Sequence, residues 1–132
     1  MDTLRLFELK QQGYCCSQIL LKMGLEDARR EENADLIQAV RGLCDGLQTG
    51  MICGILTGST CLLALLQPED AKLLISDLVE WFKCEYGENN GGITCYDILA
   101  GNPLNRFSKC PQILAAAYDK VMEMLEANGY EF

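Results

Sequence analysis

The sequence predicts an all-α protein, a compact single-domain helical bundle of about five to seven helices. Apolar residues recur at helical spacing in several segments, and glycines or prolines stand at the segment ends. No segment alternates polar and apolar residues as a half-buried strand does. We find no repeat and no linker, so residues 1–132 are expected to form one domain, with more than about 60% helix.

The first helices are predicted from caps and glycine stops. Thr3 can cap a first helix that ends at Gly13, and a second helix covers residues 14–23. Apolar residues at helical spacing predict a third helix over residues 36–43, which a glycine again closes.

Thr49 to Leu66 is a long apolar stretch that we predict to be a buried central helix. Its 18 residues would span only about 27 Å as a helix, which is marginal for a bilayer, so a membrane span is disfavoured. Gly50, Gly54 and Gly58 form a strip where another backbone can approach closely. Two interpretations of the strip stay open. In the first, it brings a helix or a ligand close to Cys53, and Gly54 and Gly58 are then candidate cofactor-binding residues. In the second, it serves helix packing alone.

The second half of the chain predicts three more helices. Pro68 suits the first turn of a helix that stops at Gly87. A loop over residues 88–94 leads to a short helix over residues 95–100, and the last helix is predicted over residues 111–128.

Charge and composition exclude several classes of function. The chain has 19 acidic and 11 basic residues, a formal net charge of −8 and no histidine. Because this charge repels phosphate backbones and anionic lipid, we expect no nucleic-acid partner and no membrane binding. The missing imidazole excludes a Ser-His-Asp triad, a Cys-His couple and histidine-ligated zinc or haem.

Cysteine is the residue type that carries the predicted chemistry, with eight copies in the chain. The first eight residues show no basic region followed by an apolar run, so we expect no secretion signal and a cytoplasmic protein. In a reducing compartment cysteines are more often reactive, metal-binding or buried than bridged. Cys44, Cys61 and Cys84 are predicted to be core or surface thiols, and Cys15 has no predicted role.

Four other cysteines lie at or near the start of a predicted helix, three of them in or just before the first turn and Cys53 in the second turn. We call these four the cysteine quartet: Cys16, Cys53, Cys95 and Cys110. The free N–H groups and the dipole at a helix start stabilise a thiolate and lower its pKa, and the thiolate is both nucleophile and metal ligand. No two of the four form a C-x-x-C motif, so we expect the fold to bring them together from separate helices.

Four segments of the chain also resemble a known family in their order and spacing. They are Gly13–Gln18, Cys53–Gly58, Thr94–Cys95 with Leu99 and Gly101, and Cys110. The resemblance is to the small bacterial and archaeal redox-active proteins labelled C_GCAxxG_C_C, and it covers nearly the whole chain. It implies that the cysteine quartet carries the family's conserved chemistry. One departure is Ile55, where the family motif has alanine.

Three hypotheses of function stay open at this point. The quartet could perform thiol–disulfide exchange, with one cysteine attacking and another resolving, as a thiol-based oxidoreductase. It could instead ligate a [2Fe–2S] cluster or a zinc ion, as an electron-transfer or metal protein. The third hypothesis is a non-catalytic helical interaction module. A redox protein or a small molecule is the expected partner, and a homodimer stays open.

Overall fold

The computed structural model describes residues 1–132 and contains helices without any strand. Helical residues make up 76% of the chain, which confirms the all-α prediction. The seven α-helices of four or more residues are α1 (Thr3–Gln11), α2 (Cys16–Asp27), α3 (Ala34–Val40), α4 (Gly54–Leu66), α5 (Ala71–Phe82), α6 (Cys95–Ile98) and α7 (Arg106–Ala127). The one extended pairing is an isolated bridge between Ile52 and Thr94.

Helix α4 is the centre of the core, as its apolar sequence predicts. It packs against α2, α5 and α7, and its Leu62 and Leu63 are fully buried. A helix that is apolar nearly all round is stable only where other helices cover it. No helix combines the length and the apolar character that crossing a membrane requires.

The central helix is shorter than predicted, because the segment before it turns left-handed. Asp45, Leu47 and Gln48 have φ values of 55°, 59° and 62°, and a right-handed helix cannot pass through such residues. The chain then runs extended, and the Cys53 N–H donates to the Ile93 carbonyl at 3.0 Å. Helix α4 therefore begins at Gly54 rather than Thr49, and Gly50 does not belong to its glycine strip.

The remaining glycines of the strip lie against α2. A Cβ on Gly58 would stand 2.9 Å from the Ser17 Cα, and a Cβ on Gly54 would stand 3.0 Å from the Cys16 Sγ. The Ser17 hydroxyl donates to the Gly54 carbonyl at 2.7 Å in the buried contact. In this chain the glycine strip therefore allows the backbones of α2 and α4 to approach each other closely.

Several helix ends differ from their predicted positions, by less than one turn in some cases and by up to two turns in others. Asp2, not Thr3, caps α1, because its side chain accepts the Arg5 N–H at 3.1 Å. Helix α2 continues past Gly24 to Asp27, since the missing side chain at Gly24 leaves room for Leu62.

The later helices also differ from their predicted bounds. Helical backbone continues after α5 through Lys83–Gly87 and Glu88–Asn90, so the stop is Gly91, with φ 78°, rather than Gly87. Helix α7 begins at Arg106, five residues before the predicted start at Pro111. A short 3₁₀ turn at Pro103–Asn105 leads directly into it.

We expect Gly58→Ala to lower the free energy of unfolding by about 1–3 kcal/mol, because its Cβ would overlap the α2 backbone. Urea denaturation followed by circular dichroism measures the change. Gly42→Ala is the matched control, since a Cβ at Gly42 meets nothing within 4 Å. Equal stability of the two variants would contradict the proposed close contact.

Candidate functional site

The candidate site is a cavity of about 190 Å³ between the starts of several helices. We call it the thiol cavity, because all four members of the cysteine quartet line it, together with Cys15. Its volume is more than ten times the roughly 10–15 Å³ that one water needs. The fold therefore brings together, from four separate helices, the cysteines that the sequence analysis singled out.

Cys16 and Cys95 lie at helix starts, as predicted, and Cys53 lies at the start of α4 rather than in the second turn of a longer helix. Cys16 is the first residue of α2, Cys53 is the N-cap of α4, and Cys95 is the first residue of α6. The α6 start is fixed by Thr94, whose side chain accepts the Asp97 N–H at 3.0 Å. The thiols of Cys16 and Cys53 are close to free backbone N–H groups of the first turn.

Cys110 is the exception, since it lies in the second turn of α7 rather than before its first residue. Pro111 is accommodated inside the helix, where its missing N–H leaves the Phe107 carbonyl without its usual partner. Because α7 starts early, Arg106 stands four residues before Cys110 on the same helix face. Both residues line the thiol cavity.

Burial, not the helix starts, decides the protonation of the inner thiols. Burial raises the pKa of Cys16 to about 11 and the pKa of Cys53 to about 12. Backbone N–H groups at both helix starts lower these pKa values, which is the predicted direction, but their effect is smaller. Burial also raises the pKa of Cys110. The expectation of lowered pKa values is therefore wrong for these three cysteines.

The thiols of the cavity influence one another and are surrounded by charge. Negative charge on Cys110 raises the pKa of Cys16, and negative charge on Cys95 raises the pKa of Cys110. Arg106 and Lys10 lower the pKa of Cys110, while Asp45 raises it. Arg106 and Asp45 form an ion pair at 2.8 Å. Ionisation of one thiol therefore makes ionisation of the next less favourable.

The side chains as they stand do not form a ligand set for a metal. No group of three or more cysteine, aspartate or glutamate side chains is arranged to hold an ion. Four thiolates are a donor set that zinc and iron–sulfur clusters accept, but ligation of one zinc places sulfurs within about 4 Å of one another. The quartet would have to contract to bind one, and its predicted metal role stays a prediction.

The two glycines predicted to bind a cofactor have different positions. Gly54 lines the thiol cavity, whereas Gly58 is absent from its wall and contacts α2 at Ser17. Ile55, the departure from the family motif, is buried and also lines the cavity. Only Gly54 of the two is thus in a position to face a bound group.

A disulfide between Cys15 and Cys44 is the feature that the sequence analysis missed. Their Cα atoms are 6.3 Å apart, and 29 residues separate them in sequence. The prediction of Cys44 as a free thiol is therefore wrong, as is the expectation of unbridged cysteines for this pair. Cys61 and Cys84 are free and lie outside the thiol cavity. No motif marks the bridge, because the two cysteines are 29 positions apart and only the fold of the chain between them brings them together.

Alkali should destabilise the protein through its buried thiols. Between pH 9 and the raised pKa values of Cys16 and Cys53, the folded state keeps protons that the unfolded state has released, so the free energy of unfolding falls as pH rises. Each group contributes at most about 1.4 kcal/mol per pH unit in this window. Urea denaturation at about pH 8 and about pH 10.5 measures the fall.

Cys53→Ala should make that fall shallower than in the wild type, because one raised pKa is removed. Cys84→Ala is the control, since Cys84 is exposed and outside the cavity. A fall of the same size in wild type and in Cys53→Ala would show that burial of Cys53 does not govern the alkaline instability.

The ion pair beside Cys110 should tune the reactivity of this thiol in two opposite directions. Arg106→Gln should slow alkylation of Cys110, and Asp45→Asn should accelerate it, by about two- to fivefold each, the size expected of partly solvated charges. Asparagine suits the positive φ of residue 45. Peptide mass spectrometry after timed iodoacetamide treatment follows Cys110 alone. Changes of the same sign in both variants would refute the assignment.

Comparison with known proteins identifies the family of the chain. Searches of the curated proteins and of the solved structures each found no match. The family described as "Putative redox-active protein (C_GCAxxG_C_C)" matches residues 14–124, a range that contains the whole cysteine quartet. With most of its length matched, the chain belongs to the C_GCAxxG_C_C family of redox-active proteins.

Proposed function

We propose that this protein is a thiol–disulfide redox protein that exchanges electrons with a partner protein or a small molecule through the cysteine quartet. The observation that carries the proposal is that four free thiols from four helices line one cavity. Packing alone does not require cysteines from four separate elements to face one empty space. Family membership supports the redox class of the function.

Access to the cavity favours Cys95 as the cysteine that attacks. Cys95 lines the thiol cavity and also a neighbouring surface hollow that includes Tyr96 and Gly101. Cys16 and Cys53 are far less suited to this role, because burial keeps them protonated. A thiol that a bulky disulfide must reach has to lie at the surface.

Cys110 is positioned to resolve the mixed disulfide. The Cys95 thiolate attacks one sulfur of the partner disulfide, and the other sulfur leaves as a thiolate. The Cys110 thiolate then attacks the Cys95 sulfur and releases the second partner thiolate. The partner disulfide is reduced by two electrons, and a Cys95–Cys110 disulfide is formed. Cys95 and Cys110 line the same cavity, and negative charge on Cys95 raises the pKa of Cys110.

Ligation of a [2Fe–2S] cluster or of zinc is the second candidate, and the four-cysteine donor set favours it. Metal analysis of protein purified without air distinguishes the candidates. Visible absorption with bound iron supports a cluster, and colourless protein with bound zinc supports a zinc site. Metal-free protein that reacts with disulfides supports thiol exchange.

The proposed roles predict different outcomes for two serine variants. With an aromatic disulfide reagent as probe, and with the exposed Cys84 changed to serine in both proteins compared, Cys95→Ser should lower the initial rate by at least about tenfold, because the accessible thiol of the cavity is lost. Cys110→Ser should react once and then retain the reagent on Cys95, because the resolving thiol is missing. Reagent release and intact mass measure both effects.

Cys61→Ser and Cys84→Ser are the matched controls, because neither residue lines the thiol cavity. Both should leave the quartet's reaction unchanged. If all four variants keep wild-type reaction at the quartet, the proposal fails and the interaction module, with cysteines used for packing, becomes the better account.

A further inference from the structure

The Cys15–Cys44 disulfide adjoins the thiol cavity. Cys15 is the N-cap of α2 and lines the cavity beside Cys16. Cys44 is buried, 2% exposed, and precedes the left-handed turn that begins at Asp45. The only bridge in the protein thus lies next to four free thiols rather than in a remote part of the fold.

Cys16 faces this bridge across Gly54. The position that a Cβ on Gly54 would take lies 3.0 Å from the Cys16 Sγ and 3.1 Å from the Cys44 Cα. The free sulfur and the bridged residue therefore lie against the same glycine, on a backbone that has no room for a side chain. Even a methyl group at position 54 would crowd both of them and the Leu43 carbonyl oxygen, 2.8 Å away.

We propose that the Cys15–Cys44 disulfide is an internal redox partner of the cysteine quartet and that Cys16 connects the two. This inference rests on the proposed function, because it gives the thiol-exchange site a second pair of exchangeable electrons. It assigns a chemical role to two cysteines outside the quartet.

The first step is attack of Cys16 on the Cys44 sulfur. Because burial raises the pKa of Cys16 to about 11, only its minor thiolate form attacks, and the exchange becomes faster as the pH rises towards this value. A Cys16–Cys44 bond forms, the Cys15–Cys44 bond breaks, and its electron pair leaves on Cys15 as a thiolate. Cys15 is the better leaving group, because it is the N-cap residue of a 12-residue helix and the positive end of the helix dipole stabilises a thiolate there. Cys44 lacks this position and is buried.

The second step transfers the bond into the cavity. The Cys110 thiolate attacks the Cys16 sulfur, a Cys16–Cys110 disulfide forms, and Cys44 leaves as a thiolate. Two quartet thiols are now oxidised and the original bridge is reduced, and the protons that the attacking thiols lost are taken up by Cys15 and Cys44. The exchange is internal, so it needs no added oxidant or reductant, and it is reversible.

Disulfide mapping during anaerobic incubation of the full chain, without added thiol or disulfide, tests the exchange. Samples are quenched in acid, alkylated, digested and examined by mass spectrometry. In the wild type we expect Cys16–Cys44 and Cys16–Cys110 peptides to accumulate while the total number of free thiols stays constant. A wild type that retains only the Cys15–Cys44 bridge at all times would overturn the proposal.

Variants assign the steps to their residues. Cys16→Ser should retain Cys15–Cys44 as its only disulfide, and Cys110→Ser should accumulate Cys16–Cys44, because the second attack is missing. Cys61→Ser, outside the cavity, should exchange as the wild type does. Exchange at the wild-type rate in Cys16→Ser, with its helix content unchanged, would equally overturn the role of Cys16.

The outcome is independent of the external reaction. Reaction of Cys95 with an added disulfide reagent but no internal exchange would leave the proposed function standing and remove this inference. Internal exchange with no reaction of Cys95 with the reagent would support this inference and refute the proposed role of Cys95.

Discussion

The close approach of α4 to α2 is the contact on which the site depends. Gly54 and Gly58 lack the side chains that would hold the two helices apart, and the buried Ser17 hydroxyl donates to the Gly54 carbonyl at 2.7 Å. A buried donor with a well-placed acceptor is costly to disrupt, so this bond also fixes the register of the helices. As a result, Cys16 and Cys53 open onto the same cavity. A separation larger by one methyl group would move these two thiols apart.

That close contact also determines which thiols can react. It buries Cys16 and Cys53 so deeply that desolvation outweighs the stabilising N–H groups at their helix starts. The position of these thiols at helix starts therefore does not determine their pKa values. Cys95 also lines a neighbouring surface hollow, and Arg106 supplies positive charge beside Cys110. The cavity therefore combines two thiols that desolvation keeps neutral with two others, one beside a surface hollow and one beside a basic side chain.

Local sequence patterns predicted the helices and the quartet. The features that were not predicted depend on contacts between residues far apart in the sequence. The caps and apolar spacing of α2 and α6 act within a few residues, so they could be read directly from the sequence. Thr49–Cys53 is apolar enough for a helix, but its Met51 carbonyl accepts the Cys95 N–H at 2.6 Å, a partner 44 residues away. The Cys15–Cys44 bridge was missed for the same reason, since its partners are 29 positions apart and no local pattern shows that the chain between them brings them together.

That turn joins the disulfide to the charges at the cavity. Asp45, Leu47 and Gln48 adopt left-handed backbone conformations, each of which costs about 1–2 kcal/mol for a residue with a side chain. Such a conformation persists only where the surroundings fix it. Here the bridge fixes one end at Cys44, and the hydrogen bond from Cys95 to Met51 fixes the other.

Asp45 lies inside this segment and pairs with Arg106, the residue that lowers the pKa of Cys110. The strained turn therefore holds in place the carboxylate that opposes Arg106, so the covalent bridge and the electrostatics of the outer thiols depend on one short segment.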